Sequence, residues 1–251
     1  MKVIAIMNLK GGVGKTITTI NVAYLLSAKG YRVLVVDNDK QGNSSKFYKA
    51  YSYDRPSLAD VLVNRNYPIH EAIVGTDYQN LDILPSNMNL LRANKEILMD
   101  ITRPQQIRMK RALETIADQY DYVIIDNAPD LDMGVVNALT VADDVIIPIK
   151  VDKFAMDGIE LLTEQITAVK EFNPKLRIAG CLVTMAQKCN VGTSGEEYLR
   201  SYGKLPVFQA VIRKTVKVDE STFYGQPLQV YNPKCTAAED YAALVEEYLS
   251  K

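Results

Sequence analysis

Lys10-Gly11-Gly12-Val13-Gly14-Lys15-Thr16 places glycines and two lysines between an apolar run, Val3 to Met7, and a helix-like segment, Thr18 to Lys29. That combination suits an oxyanion. Glycines let backbone N–H groups close around phosphate oxygens, and the start of a helix adds a favourable dipole. Lys15 can reach the β- and γ-phosphates of a nucleotide, and the Thr16 hydroxyl can ligate Mg²⁺. Leu9 stands where the usual loop pattern has glycine, and Lys10 adds a second cation at the loop entrance.

Two acidic stretches could serve such a loop. After Arg32-Val33-Leu34-Val35-Val36 comes Asp37-Asn38-Asp39-Lys40-Gln41-Gly42-Asn43. In extended backbone Asp37 and Asp39 point the same way. After Tyr122-Val123-Ile124-Ile125 comes Asp126, the placement of an aspartate that holds Mg²⁺ directly or through water.

These groups must be positioned by elements, and the chain alternates strand-like with helix-like segments. Short β-branched runs occur at Val3 to Met7, Val33 to Val36, Leu81 to Leu84, Tyr122 to Ile125, Val145 to Ile149 and Ile178 to Val183. Amphipathic segments lie between them, including one around Ile107 to Asp118, and Thr236-x-x-Glu239 reads as a capping box opening a last helix. The expected fold is α/β: a doubly wound, mostly parallel sheet flanked by helices, in a single domain over residues 1–251. In such a sheet ligands gather at the carboxyl ends of the strands, where all three motifs fall.

With 47% hydrophobic and 24% charged residues, 251 residues can bury a full core. The net charge of −1 announces no global nucleic-acid binder, so any such surface is local. No apolar stretch is long enough to span a bilayer, and the reading is of a cytosolic protein. Cys181, Cys189 and Cys235 are odd in number and scattered, against a disulfide framework, and Cys181 reads as a small core residue. His70, the single histidine, has no metal-like company and reads as surface or structural. Between Met185 and Lys217 the cations Lys188, Arg200, Lys204, Arg213, Lys214 and Lys217 face only Glu196 and Glu197, a local basic excess able to meet phosphates without reading sequence.

The lysine-opened loop resembles that of the deviant Walker A P-loop NTPases, and the further motifs resemble the ParA/Soj subfamily. Its second motif, D-x-D-P-Q-G-N, is matched by Asp37, Asp39, Gln41, Gly42 and Asn43, with Lys40 in place of the proline. Its third, I-I-D-C/T-P-P, is matched at Ile125, Asp126 and Pro129, with Asn127 and Ala128 between. Resemblance runs on through Asn137-Ala138-Leu139, Val145-Ile146-Ile147-Pro148 and Gly225-Gln226-Pro227. The familiar I-P-R-N segment appears as Ile212-Arg213-Lys214-Thr215, without its proline.

The resemblance implies an ATPase with ATP and Mg²⁺ as cofactors. Gly11, Gly12, Val13, Gly14, Lys15, Thr16, Ile17 and Pro227 would contact the nucleotide, Thr16, Asp37 and Asp126 would serve the metal, and Lys10, Lys15 and Asp39 would carry catalysis. Lys10 would reach the partner's site in an ATP-dependent homodimer, and Asp39 would position the attacking water. Lys188, Lys214 and Lys217 would contact non-specific double-stranded DNA, and a ParB-like centromere-binding protein would stimulate hydrolysis in a cytoplasmic, nucleoid-associated setting. Membrane-bound relatives of the MinD kind end in a basic amphipathic helix, whereas this tail carries Glu239, Asp240, Glu246 and Glu247. A ParA-like ATPase positioning a protein cargo and a P-loop ATP-dependent ligase are the alternatives.

Overall fold

The continuous apolar character of the strand runs, rather than alternation, requires that both faces of the sheet be covered. A computed structural model describes residues 1–152, 155–187, 190–201 and 203–251, with only the backbone described for 155–158 and 190–193. In chain order the strands are β1 (Lys2–Ile6), β2 (Val33–Asn38), β3 (Val74–Gly75), β4 (Leu81–Leu84), β5 (Tyr122–Asn127), β6 (Asp144–Lys150), β7 (Arg177–Ala186) and β8 (Val207–Arg213). The helices are α1 (Lys15–Ala28), α2 (Asn43–Phe47), α3 (Leu58–Val63), α4 (Asn89–Met99), α5 (Arg108–Glu114), α6 (Met133–Val141), α7 (Ala155–Val169), α8 (Asn190–Ser201), α9 (Val216–Tyr224), α10 (Leu228–Tyr231) and α11 (Thr236–Leu249). They form one eight-stranded sheet in the order β3-β4-β2-β5-β1-β6-β7-β8, parallel except for the short β3 at its edge.

Strand parity divides the core into two layers. Ala5, Leu34, Val36, Val123 and Ile125 pack with α3 to α7, whereas Ile4, Ile6, Val33, Val35 and Ile124 pack with α1, α10 and α11. Continuing the parity past the apolar runs puts Asp37 and Asp126 on the α1 face and Asn38 and Asn127 on the other. Cys181 is fully buried in the core, and His70 is exposed on a short 3-10 turn, Ile69–Glu71. Cys189 lies outside the described residues. None of the helices among the described residues is long and apolar enough to cross a membrane.

Three differences from the sequence reading have physical causes. Strand β8 was not expected because its residues alternate between exposed and buried without a clean apolar run. The helix expected to reach Asp118 stops at Glu114 and gives way to turns. Thr236 is the first helical residue rather than the cap, a place taken by Cys235, so the capping box does not form there; one forms instead at Ser57, whose backbone N–H and side chain meet Asp60.

Gly180 on β7 lies under the Phe208 ring of β8, and a Cβ there would sit 2.8 Å from two ring carbons. Gly180→Ala is therefore expected to destabilise the fold by about 1–3 kcal/mol. A thermal melt of the variant checks this, with Phe208→Leu in the same chain expected to recover part of the loss.

Candidate functional site

The loop between β1 and α1 turns back on itself at Gly12 and Gly14, both left-handed at φ 70° and 87°, where a side chain would be strained. Gly14 caps α1 without a side-chain bond, leaving the first helical N–H groups open to a ligand. The loop is anchored from neighbouring strands. Asn8 donates to the Pro148 carbonyl at 2.8 Å and accepts from the Lys10 N–H at 2.9 Å. Thr184 on β7 donates to the Val13 carbonyl at 2.9 Å.

The two lysines take different places. Lys15 is buried and its ammonium donates to the Lys10 carbonyl at 3.1 Å, inside the loop. Burial lowers its pKa, opposed by the charges of Asp126 and Asp39. Lys10 is half-exposed, and its ammonium is ion-paired with Asp152 just after β6.

Beside the loop, Asp37 and Asp126 are partners in the parallel β2–β5 register, and both are almost wholly buried. Asp37 Oδ2 accepts from the Ser45 N–H at 2.7 Å and the Ser45 hydroxyl at 2.6 Å. Ser44 donates to Asp126 Oδ2 at 2.7 Å, while Asp126 Oδ1 has no partner in hydrogen-bond geometry, the nearby Thr16 hydroxyl serving only to favour the charged carboxylate. Burial raises both carboxyl pKa values, and for Asp37 the charge of Asp126 adds to the shift. An orphaned buried carboxylate oxygen beside a threonine at a helix start fits a hard cation. Asp39 is half-buried; one oxygen accepts from the Gln41 N–H at 2.9 Å.

A cavity of about 330 Å³ adjoins the loop, walled by Gly14, Ile17, Ile212, Val216 and Val218 with Gln187 and Asp219 at polar positions. It suits a flat, partly polar ring. Arg213, standing where the proline was expected, also lines the cavity and makes a two-pronged pairing with Asp240 at 2.7 and 3.0 Å. Pro227 is not among the residues lining this cavity; it precedes α10, whose Leu228 N–H bonds Asn21 of α1 at 2.9 Å.

The structure thus gathers Lys10, Gly11, Gly12, Val13, Gly14, Lys15, Thr16, Asp37, Asp39 and Asp126 around one loop, with Ile17 on the adjoining wall. The basic excess near the C-terminus is reduced by ion pairs, two with acids distant in sequence and two within a helical turn. Arg213 pairs with Asp240, Lys217 with Glu220 at 2.7 Å, Arg200 with Glu196 at 2.9 Å and Lys204 with Glu160 at 3.6 Å. Lys214 is exposed at the rim of the cavity with no acidic partner among the described residues, and Lys188 lies outside them. Sequence reasoning missed Asn8, Ser44, Ser45 and Thr184; the only available signal for the serines was their place directly after the acidic motif.

Carboxyls held above their ordinary range bind protons more tightly folded than unfolded, so the ligand-free protein loses stability as pH rises through the raised values. Asp126→Asn removes that buried charge. It is expected to raise the thermal midpoint of the ligand-free chain at pH about 8 by roughly 2–4 °C, with the gain fading towards pH about 5 as the native carboxyl is itself protonated. Melts at both pH values check the sign.

Comparison with known proteins places this geometry. Residues 1–178 match a family model described as an AAA domain. The chain is 37% identical over 249 residues to the sporulation initiation inhibitor protein Soj of Bacillus subtilis, covering 98% of this chain and 97% of Soj. Among solved structures it resembles a cobyrinic acid a,c-diamide synthase from Mycobacterium smegmatis with bound ADP and magnesium, at TM-score 0.85 and 29% identity over 98% of this chain and 93% of that one. It also resembles a putative plasmid partition protein from Borrelia burgdorferi bound to AMPPNP, at TM-score 0.83 and 25% identity over 99% and 98% of the two chains. With its lysine-opened phosphate loop, its paired aspartates and this full-length likeness, the chain belongs to the ParA/Soj family of deviant Walker A partition ATPases.

Proposed function

We propose that the chain is an ATP-driven DNA partition protein, binding Mg-ATP at the β1–α1 loop, dimerising around it and releasing DNA on hydrolysis. The observation that carries this reading is the pairing of two unlike lysines with a buried carboxylate oxygen that lacks a partner. Lys15 gives up the Lys10 carbonyl for phosphoryl oxygens, joined by the amides of Gly11, Gly12, Val13, Gly14 and Thr16. Mg²⁺ supplies charge neutralisation on the phosphate chain, with Thr16 and Asp126 as the residues that would hold it. Asp37, occupied by Ser45, supports that shell from below. Asp39, freer than either buried carboxylate, orients water for attack.

Lys10 leaves Asp152 to complete the partner's site, so that nucleotide and dimer are coupled. DNA contact falls to Lys214, Lys217 and Lys188, and becomes productive when the dimer aligns two such faces. A ParB-like activator and a nucleoid-associated, cytoplasmic setting complete the reading. The likeness to a diamide synthase favours a second reading, a P-loop ligase, which requires turnover that depends on a small-molecule acceptor.

Nucleotide titration with sedimentation tests the core of this. Lys15→Ala is expected to lose tight ATP binding, Lys10→Ala to bind ATP as a monomer, and Asp39→Ala to accumulate an ATP-bound dimer with slowed turnover. An ATP-dependent dimer that persists in Lys10→Ala would defeat the assignment.

For DNA, wild type with ATP is expected to bind unrelated duplexes equally, and Lys214→Ala/Lys217→Ala to lose that binding while keeping the dimer. Each phosphate contact removed flattens the log–log salt dependence by about 0.9. Fluorescence anisotropy across a salt series measures it; absence of wild-type binding at low salt hands the reading to a protein cargo or a ligase.

A further inference from the structure

A second cavity, of about 500 Å³, opens between α3 and α5 on the sheet face opposite α1. Every charged side chain lining it, His70 aside, is an arginine: Arg65, Arg103, Arg108 and Arg111. One carboxylate serves two of them, because Asp100 Oδ2 accepts from Arg103 Nε at 2.9 Å and from Arg108 Nη2 at 2.7 Å. The trio therefore keeps one net positive charge. Backbone carbonyls at the end of α3 orient the same guanidiniums, Leu62 towards Arg108 Nη1 at 3.2 Å and Val63 towards Arg103, without adding formal charge.

Arg108 is the informative member. It is 6% exposed, and its Nε is closed to solvent with no hydrogen-bond partner. A guanidinium is costly to bury short of an acceptor, and such a group in a native fold asks for an explanation. Arg65 and Arg111 stand exposed with no acidic partner among the described residues. The cavity is of small-ligand size, and Tyr67 and Gln119 add an aromatic wall and an amide.

We propose that this cavity is a second ligand site, taking a small multivalent anion that carries phosphate or carboxylate groups. Planar guanidinium forks match both groups, two donors to two oxygens. A multivalent ion is required because the uncompensated charge is spread over Arg65, Arg111 and the Arg103–Arg108 pair. The site is independent of the nucleotide loop, so it stands or falls separately from the partition reading.

Isothermal titration of the full chain with inorganic pyrophosphate, and separately with citrate and with a polyglutamate peptide, tests it on wild type, Lys15→Ala and Arg65→Ala/Arg111→Ala. Wild type and Lys15→Ala are expected to share a binding event that weakens about tenfold or more in the double arginine variant. Arg111→Gln, at an exposed position, gives a smaller loss and covers the case in which the double variant folds poorly. Response to pyrophosphate alone assigns phosphate, and response to citrate alone assigns carboxylate. Binding that disappears only in Lys15→Ala, that is unchanged in both arginine variants, or that is confined to a polyglutamate peptide overturns the proposal, the last giving the face to an acidic protein partner.

Discussion

Two carboxylates side by side in a parallel sheet, both buried, are the constraint on which the rest of the site depends. Asp37 and Asp126 share a register position, and neither can be charged cheaply in that place. The surroundings answer this only in part. Ser44 and Ser45, at the start of α2, bring hydroxyl and amide donors, and Lys15 brings a cation from the loop. One oxygen is still left without a donor, and a site that holds such a group is built around something that arrives later.

The opposite side of the same two strands is neutral. Asn38 donates to Asn127 at 2.8 Å, and Asn127 donates to the Ile6 carbonyl at 3.2 Å, linking β2, β5 and β1 just where the acidic motifs begin. A Cβ on Gly134 would come within 2.8 Å of Asn38 Oδ1, so the N-terminal turn of α6 sits close over this pair. Asparagine at position 127 thus has a structural use, and the acidic residues on the other face inherit a fixed spacing from it.

The phosphate loop and the three acidic positions were legible in the sequence because each has a rare type at a restricted place, directly after an apolar run. Most strands were legible for the same reason, since full burial on both faces leaves an unbroken hydrophobic signature. What was not legible depends on partners far away in the chain. Ser44, Ser45, Asn8 and Thr184 are types with many uses, and only the fold says which atom each one meets. The basic stretch before Lys217 looked uncompensated because Asp240 and Glu160 lie outside it. Arg108 read as part of an amphipathic helix; its burial against Asp100 follows from how α3 and α5 approach one another.

The ion pair between Lys10 and Asp152 has side chains 39% and 34% exposed. A pair so open to solvent contributes about 1 kcal/mol or less. At room temperature that corresponds to a factor of about five between held and released lysine. Lys10 therefore spends an appreciable fraction of time detached even in the isolated chain, and any move of its ammonium to another acceptor would be a shift between populations that already coexist. Salt alone would tilt that ratio, whereas the buried carboxylates a few residues away, screened from ions by the core, would not respond.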